Sequence, residues 1–171
     1  MKKIISFSFV VLVSMSIASA KNFIKVENSI PATDTIVGYF DFNQLRDSPY
    51  DSWFSPEYEY YSVDTTTLNL LNDKLLDGIT ITVVMGTWCS DSQREVPRFV
   101  KILEYLNFDL DNVTAIGVNR KKQAPNTEVK DLKINYVPTF IFYKDHNEIG
   151  RIVESPEQSL EIDMVKIIMG D

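Results

Sequence analysis

One run of residues constrains the fold more than any other, the segment ITITVVMG from Ile79 to Gly86. It is almost continuously apolar or β-branched, which is typical of a strand buried on both faces of a sheet. A strand of this kind needs other layers of structure above and below it. The run therefore predicts an α/β domain built around a central sheet.

The segments after residue 60 alternate between strand and helix patterns. In chain order they are a strand in YYSV (60–63), a helix over 65–76 stopped by Gly78, the strand 79–86, a helix over about 90–106, a strand in VTAIGVN (113–119), a short helix in TEVKDLKI (127–134), a strand in PTFIFYK (138–144), a turn in DHNE, a strand in IGRIVES (149–155) and a helix in SLEIDMVKIIMG (159–170). This order predicts a central mixed sheet with helices on both faces, a three-layer α/β/α sandwich.

The first twenty residues have the features of a secretory signal peptide. Lys2 and Lys3 precede an apolar run over 4–13, and Ala18-Ser19-Ala20 forms a small-residue cleavage site. The apolar run is too short to span a bilayer, so no integral membrane segment is expected after cleavage. We therefore expect a signal peptide over 1–20 and a periplasmic or secreted mature protein.

Residues 21–59 are expected to form an N-terminal extension, followed by the main domain over 60–171. Nine of the chain's twenty aromatic residues lie between Tyr39 and Tyr61. The alternation over 36–42 predicts a half-buried strand, and Pro49 and Pro56 argue against regular structure over 46–59. Two hypotheses remain open for this segment: extra core packed over the sheet, or a peptide-binding wall beside the site formed by Trp53, Phe54 and Tyr58.

Charge and cysteine content narrow the possible partners. After cleavage the chain would carry 15 basic and 24 acidic residues and no dense basic tract, so nucleic acid and anionic membranes are not expected partners. Cys89 is the only cysteine, and in an oxidising compartment it has no partner in its own chain. It is therefore either buried and inert or a thiol available to other molecules.

Several motifs occur in register with this element order: Trp88-Cys89 after the central strand, Pro97 eight residues later, and Pro138-Thr139 opening a later strand. Together they resemble the thioredoxin superfamily, over about residues 60–171. GTWC with Glu95 and Pro97 is most similar to the TlpA-like extracytoplasmic branch, without that branch's large insertion. The sequence also resembles secreted thioredoxin-like proteins of Bacteroidetes. The resemblance implies a thioredoxin-like sandwich.

The resemblance also implies roles for individual residues. Cys89 matches the family's nucleophile, and Trp88 matches the residue that shapes the surface around it. Pro138 matches a cis-proline facing the thiol, and with Thr139 it would form the substrate-docking edge. A cis-proline at the start of an edge-accessible strand would leave the backbone of Val137 free to pair with an extended peptide.

Two departures from the family pattern concern the release of a bound substrate. Ser92 stands where a second cysteine is usual, giving the sequence Cys-Ser-Asp-Ser, and Val83 stands where thioredoxins commonly bury an acid. Ser92 could hydrogen-bond the Cys89 sulfur or act only as a cap or solvated residue, but it cannot attack a mixed disulfide as a thiolate would. Exchange begun by Cys89 must then end with an outside thiol.

Charged residues near the predicted site have more than one interpretation. The helix dipole favours a Cys89 thiolate, and the negative charge of Asp91 opposes it. Glu95 matches the acid of the TlpA-like branch and could relay a proton, or it is a solvated helix residue paired with Arg94 or Arg98. The basic group over 120–122 follows a central strand, where loops line the binding crevice of open α/β sheets. It either attracts anions beside Cys89 or forms a solvated loop.

No metal or cofactor is expected. His146 lies in a polar turn without a second ligand at useful spacing, and the sequence contains neither a phosphate loop nor a dinucleotide fingerprint. The leading hypothesis is thiol–disulfide exchange through Cys89 alone, isomerase- or reductase-like, with disulfide- or thiol-containing proteins or small thiols as partners. A non-catalytic peptide- or protein-binding module is the alternative, and a thiol peroxidase is the third hypothesis.

Overall fold

The structure, a computed structural model, describes residues 35–170. The predicted signal peptide over 1–20 and the first part of the predicted extension lie outside the described residues. The described chain contains five strands: β1 Gly38–Tyr39, β2 Ile79–Met85, β3 Val113–Gly117, β4 Thr139–Lys144 and β5 Asn147–Val153. It contains five α-helices: α1 Asp51–Tyr60, α2 Thr65–Leu68, α3 Asp73–Leu76, α4 Ser90–Tyr105 and α5 Leu160–Met169. Short 3-10 helices cover Phe42–Arg46, Leu110–Asn112 and Glu128–Asp131.

The five strands form one mixed sheet in the order β1-β3-β2-β4-β5. The central strand β2 is parallel to β3 and antiparallel to β4, and β5 forms a hairpin with β4. β1 lies antiparallel to β3 at the opposite edge. A central parallel pair with an antiparallel hairpin on one side is the sheet of a thioredoxin-like fold. The predicted fold class is confirmed.

Side chains of β2 alternate between two clusters because successive strand residues point to opposite faces of the sheet. Ile81, Val83 and Met85 belong to the larger core, which lies under α1, α2, α4 and α5. In that core the rings of Phe99 and Phe140 pack with centroids 4.4 Å apart. Val84 points the other way, into a smaller cluster.

The smaller cluster is covered by the segment over 118–137. The helix predicted over 127–134 is a single 3-10 turn, Glu128–Asp131, capped by the Thr127 side chain. Residue 133 has a positive φ of 53°, which ends helical structure there. This layer of the sandwich is therefore thin, and Trp88 and Cys89 pack directly against the smaller cluster.

Three local predictions are wrong. YYSV is not a strand, because Tyr61 ends α1 by donating its N–H to Glu57 and Asp64 caps α2. The helix predicted over 65–76 is two short helices, since Asn72 accepts a hydrogen bond from Leu75 N–H and starts a new one.

Residues 51–60, predicted to be irregular, form α1 with Pro56 inside it. Proline in sixth position removes one hydrogen bond, and the packing of the helix face outweighs that loss. Phe54 is buried in the larger core and its ring stacks on Tyr58 at 5.9 Å. Trp53 and Tyr58 pack against the same core, whereas Cys89 packs against the smaller cluster. The structure therefore places these aromatics as added core. The domain boundary between 59 and 60 stays a prediction.

Among residues 35–170, none of the helices combines the length and the apolar character needed to cross a membrane.

Candidate active site around Cys89

Cys89 lies at the junction between the central strand and the longest described helix. β2 ends at Met85, and a short loop leads to Cys89, whose N–H donates to Gly86 O at 2.9 Å. Cys89 is the N-cap of the 16-residue helix α4, with extended φ and ψ of −100° and 125°. Its carbonyl accepts the first helical hydrogen bond, from Gln93 N–H at 2.9 Å. The half-buried sulfur is therefore held at the positive end of the helix dipole.

The thiol of Cys89 donates a hydrogen bond to the carbonyl oxygen of Val137, with Sγ and O 3.2 Å apart. Val137 is the residue before Pro138, and the peptide bond between them is cis. Two residues 48 positions apart in the chain, both singled out in the sequence, thus meet in the fold. Because the sulfur donates, this contact exists only while Cys89 carries its proton.

The backbone beside Pro138 is only partly free. β4 is an interior strand, paired with β2 on one side and β5 on the other, so the prediction of an edge-accessible strand is wrong. Pro138 O accepts from Glu154 N–H at 2.7 Å, and Thr139 Oγ1 donates to Tyr136 O at 2.8 Å. No described residue accepts a hydrogen bond from Val137 N–H. The backbone N–H left without an acceptor beside Pro138 is therefore that of buried Val137, just before the strand.

Ser92 is fully buried, with 0% of its surface exposed. Its Oγ accepts a hydrogen bond from Gly86 N–H at 3.2 Å, which ties the loop before Cys89 to the first turn of α4. No hydrogen bond joins Ser92 to the Cys89 sulfur within residues 35–170, and a solvated role is excluded by burial. Ser92 therefore acts as a clamp on the loop.

Trp88 is positioned by a hydrogen bond from its indole N–H and by the space that Gly86 leaves for its ring. Nε1 donates to Val118 O at 2.8 Å, at the end of β3. A Cβ added at Gly86 would stand 2.6 Å from Trp88 Cε2, so only glycine leaves room for the ring. The guanidinium of Arg120 lies over the ring, 5.1 Å from its centroid. The structure thus places Arg120, one of the three basic residues over 120–122, against Trp88, the residue before Cys89.

Glu95 is buried, with 4% of its surface exposed, so the prediction of a solvated residue is wrong, whereas the predicted pairing with Arg94 or Arg98 is present. Arg94 Nε lies 2.6 Å from Glu95 Oε1, and Arg98 Nη1 lies 3.8 Å from the same oxygen. Arg94 also contacts Asp91 Oδ1 at 2.8 Å and Ser155 Oγ at 2.9 Å. Arg94 therefore offsets part of the charge of Asp91, which opposes a thiolate, while it also pairs with Glu95. No hydrogen bond between described residues joins Glu95 to Cys89.

Val83 and His146, two other positions considered in the sequence, add no polar contact to the site around Cys89. Val83 is fully buried in the larger core, so the position where the resemblance to thioredoxins implies a buried acid is apolar here. His146 is exposed in the turn between β4 and β5. Within residues 35–170, no group of three or more His, Cys, Asp or Glu side chains is arranged to hold a metal ion.

A buried carboxylate on α5 was missed by sequence reasoning. Glu161 is 1% exposed, and its two carboxylate oxygens accept from Tyr61 OH at 2.8 and 2.9 Å. Asp64 N–H donates to the same side chain at 3.1 Å. Burial and Glu161 raise the pKa of Tyr61 well above its ordinary value. The only sequence signal is an acid among the apolar residues of α5, and it does not identify the partner.

Comparisons with known proteins give structural similarity and no sequence match. No protein-family model matches this sequence, and no curated protein matches it. A protein of unknown function from Pseudomonas aeruginosa is similar in structure, 14% identical, with a TM-score of 0.49 over 78% of this chain and 89% of the other. Thioredoxin O2 from Arabidopsis thaliana, in its oxidised state, is 18% identical, with a TM-score of 0.36 over 67% of this chain and 86% of the other. With identities below 25% and TM-scores below 0.5, neither structure bears on the chemistry of Cys89.

Proposed function

We propose that this protein carries out thiol–disulfide exchange through Cys89 alone. The observation that supports it best is the position of the sulfur: half-buried at the start of α4 and 3.2 Å from the carbonyl beside Pro138. The helix dipole at this position favours the thiolate once the sulfur leaves the Val137 carbonyl, and no described residue accepts a hydrogen bond from Val137 N–H. The similarity of the GTWC segment to extracytoplasmic thioredoxin-like proteins, with the signal peptide predicted over 1–20, supports action in the periplasm or outside the cell.

The chemistry requires two displacement steps. The Cys89 thiolate attacks one sulfur of a partner disulfide, a new disulfide forms between Cys89 and the partner, and the other partner sulfur leaves as a thiolate. A second thiolate from outside then attacks this mixed disulfide and returns Cys89 to its reduced form. No electrons are gained or lost overall, because each step forms one S–S bond and breaks one.

The second thiolate must come from outside because Cys89 is the only cysteine in the chain and Ser92 stands at the position of a second one. Ser92 Oγ is occupied by Gly86 N–H, and a serine hydroxyl does not displace sulfur from a disulfide under these conditions. A mixed disulfide on Cys89 should therefore persist until an external thiol arrives. Disulfide- or thiol-containing proteins and small thiols are the partners that this chemistry accepts.

The proposal is tested by recovering the protein from an oxidising compartment after free thiols have been blocked. We expect part of the population to carry a reducible adduct on Cys89, seen as a larger species on non-reducing gels or as added intact mass. A Cys89→Ala variant should show none, and a Ser90→Ala variant, which changes the exposed neighbour, should retain the adduct.

Two other outcomes would point to the other hypotheses. An unmodified Cys89 that alkylates slowly would favour a non-catalytic peptide-binding module. A mass increase of one or more oxygen atoms after peroxide, without any exchange adduct, would favour a thiol peroxidase.

A further inference from the structure

We infer that the site around Cys89 selects disulfide partners that carry a carboxylate near the reactive sulfur, with Arg120 as the group that binds it. This inference rests on the proposed function and names the chemical class of its partners. The carboxylate could belong to a small peptide thiol or to an acidic segment of a protein, and the two sources share the same recognition chemistry.

Arg120 differs from every other arginine in the chain. The four others each contact a carboxylate within 4 Å: Arg46 with Glu104, Arg94 with Asp91 and Glu95, Arg98 with Glu57 and Glu95, and Arg151 with Glu148. Arg120 has no carboxylate partner among residues 35–170. Its guanidinium instead lies over the indole of Trp88. A guanidinium on an aromatic face keeps its N–H groups free for a carboxylate, which it can bind through two parallel hydrogen bonds.

The loop that carries Arg120 is fixed next to the thiol. Val118 N–H donates to Met85 O at 2.8 Å, so the ends of β3 and β2 lie side by side. Trp88 Nε1 donates a hydrogen bond to Val118 O at 2.8 Å. Arg120 follows Val118 by two residues, and Cys89 follows Trp88 directly. The guanidinium therefore projects over the residue that borders the sulfur.

A closed turn holds two further cations beside Arg120. Asn119 Oδ1 accepts from Lys121 N–H at 2.9 Å and from Gln123 N–H at 3.1 Å, and Asn119 O accepts from Lys122 N–H at 2.8 Å. Neither lysine has a carboxylate partner among the described residues. Three adjacent cations thus remain uncompensated in a chain whose formal net charge is −7.

Asp91 lies two residues after Cys89 and carries a negative charge that opposes the basic group. Asp91 is paired with Arg94 at 2.8 Å, so its charge is partly offset within α4. Arg120, Lys121 and Lys122 therefore form an uncompensated basic group beside Trp88, in a protein whose formal net charge is negative. Surface charges of this kind act on encounter rates, and their effect weakens as salt shortens the Debye length to about 3 Å at 1 M.

The experiment compares rates of mixed-disulfide formation at Cys89 with matched peptide disulfides. One peptide carries glutamates beside its disulfide and the other carries glutamines, with the same leaving group; oxidised glutathione represents the small anionic source. At low salt, R120Q should lower the rate with the glutamate peptide about three- to tenfold relative to the glutamine peptide. R120K should retain most of the preference. K74Q removes an equal charge from an exposed site on α3 and should leave the preference unchanged.

A preference shared by the glutamate peptide and oxidised glutathione would show that the carboxylate itself is recognised. A preference confined to the peptide would assign the site to protein segments. If R120Q affects both peptides equally, or if the preference survives 1 M salt, the inference is wrong while the exchange function stands. If wild-type Cys89 reacts with none of the disulfides, both fall.

Discussion

Replacing Ser92 with cysteine tests the geometry on which the site depends. Residues three apart at the start of a helix have Cα atoms about 5 Å apart, inside the range of about 4.4–6.8 Å that a disulfide requires. Cys89 and residue 92 occupy these positions at the N-cap and in the first turn of α4. We therefore expect S92C to form a reducible disulfide between residues 89 and 92.

Two opposing effects set the stability of this variant. In the reduced form, the sulfur is a poor acceptor for Gly86 N–H, and leaving that buried group unpaired costs about 1–3 kcal/mol. In the oxidised form, closing a loop of four residues restores about 2 kcal/mol in the chain-entropy estimate. The oxidised variant should therefore melt close to the wild type. The reduced variant should melt about 3–9 °C lower.

Thermal melts with and without reductant measure both states, and intact mass shows the loss of two hydrogens on oxidation. S92A is the matched control: it loses the same acceptor and gains no sulfur, so it should melt like reduced S92C and ignore the reductant. Insulin reduction by S92C should exceed that of the wild type. A variant that stays reduced under oxidant would show that the loop does not have the geometry of a dithiol site. Wild-type stability in S92A would show that the Gly86 hydrogen bond contributes nothing.

Two further substitutions test the surroundings of the site. Y61F removes both hydrogen bonds to buried Glu161 and should lower the free energy of unfolding by about 1–3 kcal/mol in urea titrations. The pKa of Tyr61 is raised in the folded state, so the stabilisation by this side chain is present below pH about 10 and is lost as the pH rises above that value. Y61F should therefore lose less stability, relative to the wild type, at alkaline pH than at neutral pH. Equal losses at the two pH values would contradict this. G86A places a methyl group 2.6 Å from the Trp88 ring and should cost about 1–3 kcal/mol. In a W88A background that cost should disappear, and additive costs in the double-mutant cycle would refute the contact.

The elements with strong periodicity could be predicted from sequence alone. The β-branched run became β2, and the apolar positions of the next segment became the buried side of α4. Cys89 lies at their junction because strand, loop and helix follow one another in the chain. Local patterns suffice where burial repeats at one clear period.

Long-range packing decided the parts that sequence could not show. α1 forms despite Pro56 because its aromatic face is buried against the larger core, a contact invisible in a local window. The sequence predicts an accessible edge for β4, but β5 pairs with β4 and makes it an interior strand. The pairing of Tyr61 with Glu161 joins residues 100 positions apart, and no spacing rule connects them.

In the loop before α4, the hydrogen bond from the Cys89 sulfur is the contact that a partner could replace. The hydrogen bonds that hold the loop and its neighbours are those of Gly86 N–H to Ser92, Cys89 N–H to Gly86, Gln93 Nε2 to Thr87 O, and Trp88 Nε1 to Val118 O. These bonds use N–H donors, whereas the bond from the Cys89 thiol to Val137 O uses a weak S–H donor. An attacking sulfur must leave this carbonyl, and a peptide N–H is the stronger donor to take its place. Under the proposed exchange, a partner that donates a backbone N–H to Val137 O would take the place of the thiol and free it to attack the partner's disulfide.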